Sequence, residues 1–162
     1  MNSQFQSIAR ELTALIGPWE QKLRQLPLET VTGYRNNQNR TIREILGHMV
    51  DSATNNTHRI VHLQYQESPL SYPDYANHGN NDRWIAIQNY QEEDWDLLVS
   101  VWAATHRHIA HVIVQVDKAK LQQVWISALD EEVTLEAMII DFPRHFKLHL
   151  GEIGTLIETS SR

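Results

Sequence analysis

The chain has 162 residues with 14 Lys and Arg against 20 Asp and Glu, a formal charge of -6. That length suits one domain with its own core, residues 1-162, and the acidic balance disfavours nucleic acid or an anionic membrane as partner. There is no cysteine, which excludes disulfides, cysteine-ligated zinc and a cysteine nucleophile, so a metal must take His or carboxylate ligands.

The amino-terminal run MNSQFQSIAREL has no signal-peptide pattern, and no stretch reaches the roughly 20 apolar residues of a membrane span, so a cytoplasmic location is expected. A first helix is predicted from Ser3 to Leu26, with Phe5, Ile8, Leu12, Leu15, Trp19, Leu23 and Leu26 on one stripe. Ser3 and Gln6 form a candidate capping box, and Gly17-Pro18 is a candidate kink. A second helix, Thr41 to Gln64, turns Ile42, Ile45, Leu46, Met49, Ala53 and Ile60 inward and starts with the capping box Thr41/Glu44. The segment QESPLSYPDYANHGNNDR follows. It is too long for a plain connector, and its Tyr72 and Tyr75 argue for a packed loop. Trp84 is expected to open a short helix after it.

The third long helix spans Glu92 to Val116, with Glu92, Glu93 and Asp94 in the first turn, where the helix dipole favours acids. VWIS at 124-127 reads as a short extended piece. A fourth helix runs from Thr134 to Glu158, with Leu135, Met138, Ile139, Phe142, Phe146, Leu150, Ile153, Leu156 and Ile157 inward. Pro143 within it implies a kink or a later start. The expected fold class is all-α, a four-helix bundle.

His145 and His149 stand four apart on the last helix, the spacing at which two imidazoles reach one metal ion. They also lie along the apolar stripe, where an unpartnered imidazole costs roughly 1 to 3 kcal/mol. On the second helix His48 begins a polar row that continues through Asp51 or Ser52, Asn55, Arg59 and His62 beside the apolar stripe. His48 with His145 and His149 would give three neutral nitrogen ligands with coordination positions left open, the pattern of catalytic metal sites. The competing reading makes each a hydrogen-bonded core histidine. Asn55 and Arg59 are candidates for orienting a substrate, Arg59 as a carboxylate clamp; a solvated helix face is the alternative. Tyr75, His78 and Trp84 are candidate pocket walls, with packing as the alternative. In HRHIAH, His106 falls at the core edge and is a candidate pocket residue, while His108 and His111 share a more polar face.

TIREILGHMVDSATNNTHRI, taken with DFPRHFKLHLGEI nearly a hundred residues later, resembles the DinB-like superfamily of metal-binding four-helix bundles, in particular its YfiT-like branch. NDRW and NYQEEDW fit the same likeness. The resemblance implies a metal triad of His48, His145 and His149, with Asp51 and Ser52 completing the early motif. It also implies an up-down-down-up bundle with a long crossover, and a homodimer. The implied activity is that of a metal-dependent hydrolase or of a transferase acting with a low-molecular-weight thiol. Having no cysteine, this chain would receive the thiol as cosubstrate. Zn or Ni is the expected divalent ion, with Fe or Mn as further candidates, and the substrate pocket would draw on Asp51, Asn55, Arg59, Trp84 and His106. A noncatalytic bundle that binds a metal or small ligand is the alternative.

Overall fold

A computed structural model describes residues 3-162. Four long helices dominate it: α1 (Ser3–Arg24), α3 (Ile42–Tyr65), α5 (Trp95–Gln115) and α6 (Leu135–Ser160). Shorter elements connect them: α2 (Leu28–Gly33), β1 (Leu70–Ser71), α4 (Asn80–Gln88), β2 (Val124–Ile126) and β3 (Glu132–Thr134). β1 pairs parallel with β2, and β2 antiparallel with β3.

Contacts at the helix ends fix the topology. Arg43 near the start of α3 donates to the carbonyls of Gln91 and Glu93 just before α5, while the Asp117 N–H after α5 donates to Gln64 at the end of α3, 2.9 Å. These two helices therefore run parallel. The Leu135 N–H at the start of α6 donates to the Gln123 carbonyl, beyond the end of α5, so α6 runs back against both. Trp95 at the start of α5 donates through Nε1 to the Leu23 carbonyl near the end of α1, and Lys147 pairs with Glu11, which sets α1 antiparallel to α5 and beside α6. The bundle is up-down-down-up, with residues 66–94 as the crossover.

Thr41 caps α3 in a complete capping box with Glu44, satisfying N–H groups that the first turn leaves open. α1 is described from Ser3 onward, so the expected Ser3/Gln6 capping box lies at the edge of the described residues, with Ser3 already helical. It continues through Gly17 and Pro18 as one helix, with Leu12, Ile16 and Leu23 enclosed and Leu15, Trp19 and Leu26 at the edge of the core. α5 starts later than expected: Asp94 is its N-cap, and Glu92 and Glu93 precede the helix. Trp84 lies within α4, whose first residue is Asn80. α6 passes through Pro143 unbroken. Burial of Met138, Ile139, Phe142 and Phe146 on either side outweighs the roughly 3 kcal/mol that an interior proline costs.

α5 is 21 residues long and, by length and composition, apolar enough to cross a membrane. Here it packs against α1 and α3 with Leu98, Val99, Trp102, Ile109 and Ile113 in the core.

Candidate metal centre

Three imidazoles meet between α3 and α6. His48 comes from the second turn of α3, His145 and His149 from successive turns of α6, and one nitrogen of each lies within 4.8 Å of the others. The ring centroids are 5.6 Å apart for His48 and His145, 4.8 Å for His48 and His149, and 4.4 Å for His145 and His149. The helical spacing of four accounts for the closest pair, and the antiparallel packing of α3 on α6 supplies the third ring.

The hydrogen bonding suits a shared cation. Nε2 of His149 and Nε2 of His145 face each other at 3.0 Å, roughly the separation of two nitrogens that each stand about 2.1 Å from one ion. His149 Nδ1 lies 2.7 Å from Glu152 Oε2, a carboxylate that fixes the ring and leaves Nε2 for the centre. Ser52 Oγ lies 3.5 Å from His145 Nδ1. His48 is buried, and its Nδ1 has no hydrogen-bond partner among the described residues. Burial, with the nearby His149, His145 and Arg40, pushes His48 down to about 2; burial and then His149 push His145 down to about 4. Both are held neutral, the state in which imidazole binds metals.

Tyr75 from the crossover loop is buried with its ring 6.4 Å from that of His48, and burial raises its hydroxyl against the hydrogen bond with Ser52. Trp84 packs edge-on against Tyr75 at 6.0 Å but is itself 38% exposed, so it backs the wall without closing it. His78 turns elsewhere: it is exposed, with Nε2 3.1 Å from the Ala128 carbonyl.

Asp51 accepts hydrogen bonds through Oδ1 from Tyr90 at 2.6 Å and Gln88 at 2.8 Å, while its enclosed Oδ2 has no partner among the described residues. Burial raises its carboxyl and, more strongly, the Tyr90 hydroxyl. Asp51 thereby ties the α4 to α5 linker onto α3. Asn55 is buried and donates back to the Asp51 carbonyl at 2.9 Å. His106 is buried against Trp102, Phe142 and Phe146, its Nδ1 2.7 Å from the Trp102 carbonyl, and burial pushes it down to about 4. It sits behind α6, close enough for its charge to act on His145. Arg59 is buried on Trp125. His108 and His111 are exposed. A groove of about 840 Å³ between α1 and α5, bordered by Ala14, Ala110 and His111, lies away from the histidine cluster and brings no such convergence of ligands.

Two partners went unread in the sequence. Glu152 was detectable, three residues beyond His149 on the same helix face. Trp125 under Arg59 was not, since nothing local joins a strand residue to a helix 66 positions earlier.

No family model matches the chain, and no curated protein matches it. Among solved structures, YfiT from Bacillus subtilis, described as a probable metal-dependent hydrolase with an unusual four-helix bundle topology, superposes with a TM-score of 0.84 at 15% identity over 99% of this chain and 90% of that one. The chain has the YfiT-like bundle fold. The mycothiol-dependent maleylpyruvate isomerase superposes with a TM-score of 0.73 at 12% identity, covering 93% of this chain and 60% of that one. The fold implied by the motif resemblance is the fold found.

Proposed function

We propose that the chain is a single-domain metal-dependent enzyme in which His48, His145 and His149 hold one divalent cation, and that it acts on a small molecule by hydrolysis or by thiol-dependent transfer. The observation that carries this reading is the meeting of three imidazoles, His48 and His149 buried and His145 half-buried, with one ring nitrogen of each within 4.8 Å of the others. A bound divalent cation supplies Lewis acidity that activates water or a thiol. The protein's share is positional. Burial keeps His48 and His145 unprotonated, Glu152 orients His149, and Tyr75 lies over the cluster where it limits access of bulk water.

Zn or Ni is the proposed occupant, Fe or Mn the next choice, because three imidazoles suit all of these ions. The two fold neighbours carry the two chemistries in their descriptions: one is called a probable metal-dependent hydrolase, the other a mycothiol-dependent isomerase. In the transfer reading the thiol is a low-molecular-weight cosubstrate, because the chain has no cysteine to serve as nucleophile. A cytoplasmic homodimer completes the proposal.

The test is elemental mass spectrometry on untagged protein, wild type beside His145→Ala/His149→Ala, followed by a screen of thiols against electrophiles and activated esters. About one ion per chain, lost in the double variant, together with turnover abolished by chelator and by His48→Ala, supports the reading. Protein that takes up no Zn, Ni, Fe or Mn refutes it, and uptake without turnover leaves a binding bundle.

A further inference from the structure

Of the buried arginines, Arg59 is the one that has neither an ion pair nor a hydrogen bond among the described residues. Arg40 meets Asp82 at 2.8 Å, and Arg43 donates to the carbonyls of Gln91 and Glu93. Arg59 is 5% exposed, its Nε is enclosed without a partner, and among the described residues it forms no ion pair. A buried guanidinium in that condition bears a desolvation cost that only an anion or a set of acceptors offsets.

What Arg59 has is a floor. Its Cζ lies 3.7 Å from the ring centroid of Trp125, with the Tyr72 ring 5.8 Å away. Stacking occupies one face of a guanidinium and leaves the in-plane N–H groups free to take a planar oxyanion. The carboxylate of Asp74 is already engaged: Oδ1 accepts from the N–H groups of Ala76 and Asn77, Oδ2 from the Asn77 amide and the Ala128 N–H.

Position links this cation to the histidine centre. Arg59 is eleven residues after His48, which at about 100° per residue returns to the same face of α3, and long helical side chains point back toward the helix start. Tyr75 marks the middle, with its ring 6.4 Å from His48 and its hydroxyl within the field of Arg59. We propose that Arg59, stacked on Trp125, binds the carboxylate of an anionic substrate whose reacting end lies at the histidine centre. This rests on reading that centre as a small-molecule site. A cation at the three histidines and the Arg59 charge would together make a positive pocket in a protein of net charge -6, which selects for anions.

The experiment uses succinate as probe and dimethyl succinate as its neutral control, read by thermal melting and by NMR of the arginine Nε–H resonances. Succinate is expected to raise Tm and to move one resonance saturably, while the diester does neither. Arg59→Met, which keeps the stem over Trp125, should remove that resonance and weaken succinate about tenfold or more, and Arg59→Lys, which keeps charge but loses the fork, should weaken it less. A His48→Ala/His145→Ala/His149→Ala variant should still bind succinate. No saturable binding in the millimolar range, or equal affinity in wild type and Arg59→Met, overturns the proposal, as does binding that needs the histidines and ignores Arg59. A chain that takes up no metal yet binds succinate through Arg59 keeps the anion site and loses the metal-enzyme reading.

Discussion

His106 offers a quantitative test that is independent of any ligand. It is 1% exposed and its pKa is pushed down to about 4 by burial, against a usual 6.5. Because the folded state holds the group neutral and the unfolded chain does not, the unfolded chain binds the extra proton as pH falls below 6.5. The associated stability is therefore present above that pH and is lost as pH falls toward 4. Two and a half pH units at 1.36 kcal/mol per unit bound the loss at about 3 kcal/mol, with about 2 kcal/mol gone by pH 5. Urea unfolding of chelator-treated protein at pH 7 and pH 5 measures this. His106→Asn, which retains a donor for the Trp102 carbonyl, should lower stability at pH 7 and reduce the fall between the two pH values by about 2 kcal/mol. His48 and His145 contribute to the fall with the same sign, and both variant and wild type retain them. An unchanged fall in the variant, or an NMR titration of His106 with its midpoint near 6.5, would refute the reasoning.

Gly47→Ala should destabilise by about 3 kcal/mol, the upper end of overpacking, because the added Cβ would stand 2.0 Å from the Tyr90 ring; the urea midpoint checks this. Glu152→Gln removes the carboxylate behind His149 and should weaken metal affinity by about 10- to 100-fold in a competitive chelator titration, with the urea midpoint little changed. Free Zn at about 100 times its dissociation constant should stabilise the wild type by about 2.7 kcal/mol and leave His145→Ala/His149→Ala unmoved in a thermal melt. Thr41→Ala should cost about 1 kcal/mol through loss of the α3 cap, read by urea unfolding.

The four long helices were legible because each carries an apolar stripe over five or more turns, and the start of α3 because Thr41 and Glu44 advertise it. The start of α5 was misplaced because acids favour the neighbourhood of a helix N-terminus on either side of the cap, and only Asp94 has its side chain on the Leu97 N–H. Strands of two and three residues such as β1 and β3 are too short to display a period, and α2 is a turn and a half. Proline made α6 look breakable because a local penalty is visible in sequence while the burial that exceeds it is not. The histidine cluster was half written on one helix, as His145 and His149. Its third ring, His48, was marked by the polar row on α3 and by the LGHMVDS motif of the family resemblance, whereas the placing of Trp125 beneath Arg59 depends on long-range packing that no local pattern records.

The parallel run of α3 and α5 means the chain must travel back along the bundle between them. At 1.5 Å per residue, the 24 residues of α3 set that return at about 36 Å, which some eleven extended residues would span at roughly 3.3 Å each. The crossover, residues 66–94, is well over twice that length. The surplus is what lays Tyr72 and Tyr75 beside Arg59 and the histidines, so the roof of the site is slack in a tether. Its two ends are not slack, since Leu70, Ile85 and Tyr90 are buried in the core and Tyr90 and Gln91 are bonded to α3; the stretch 71–79 between them is the part whose side chains can change with least effect on the helices that carry the imidazoles.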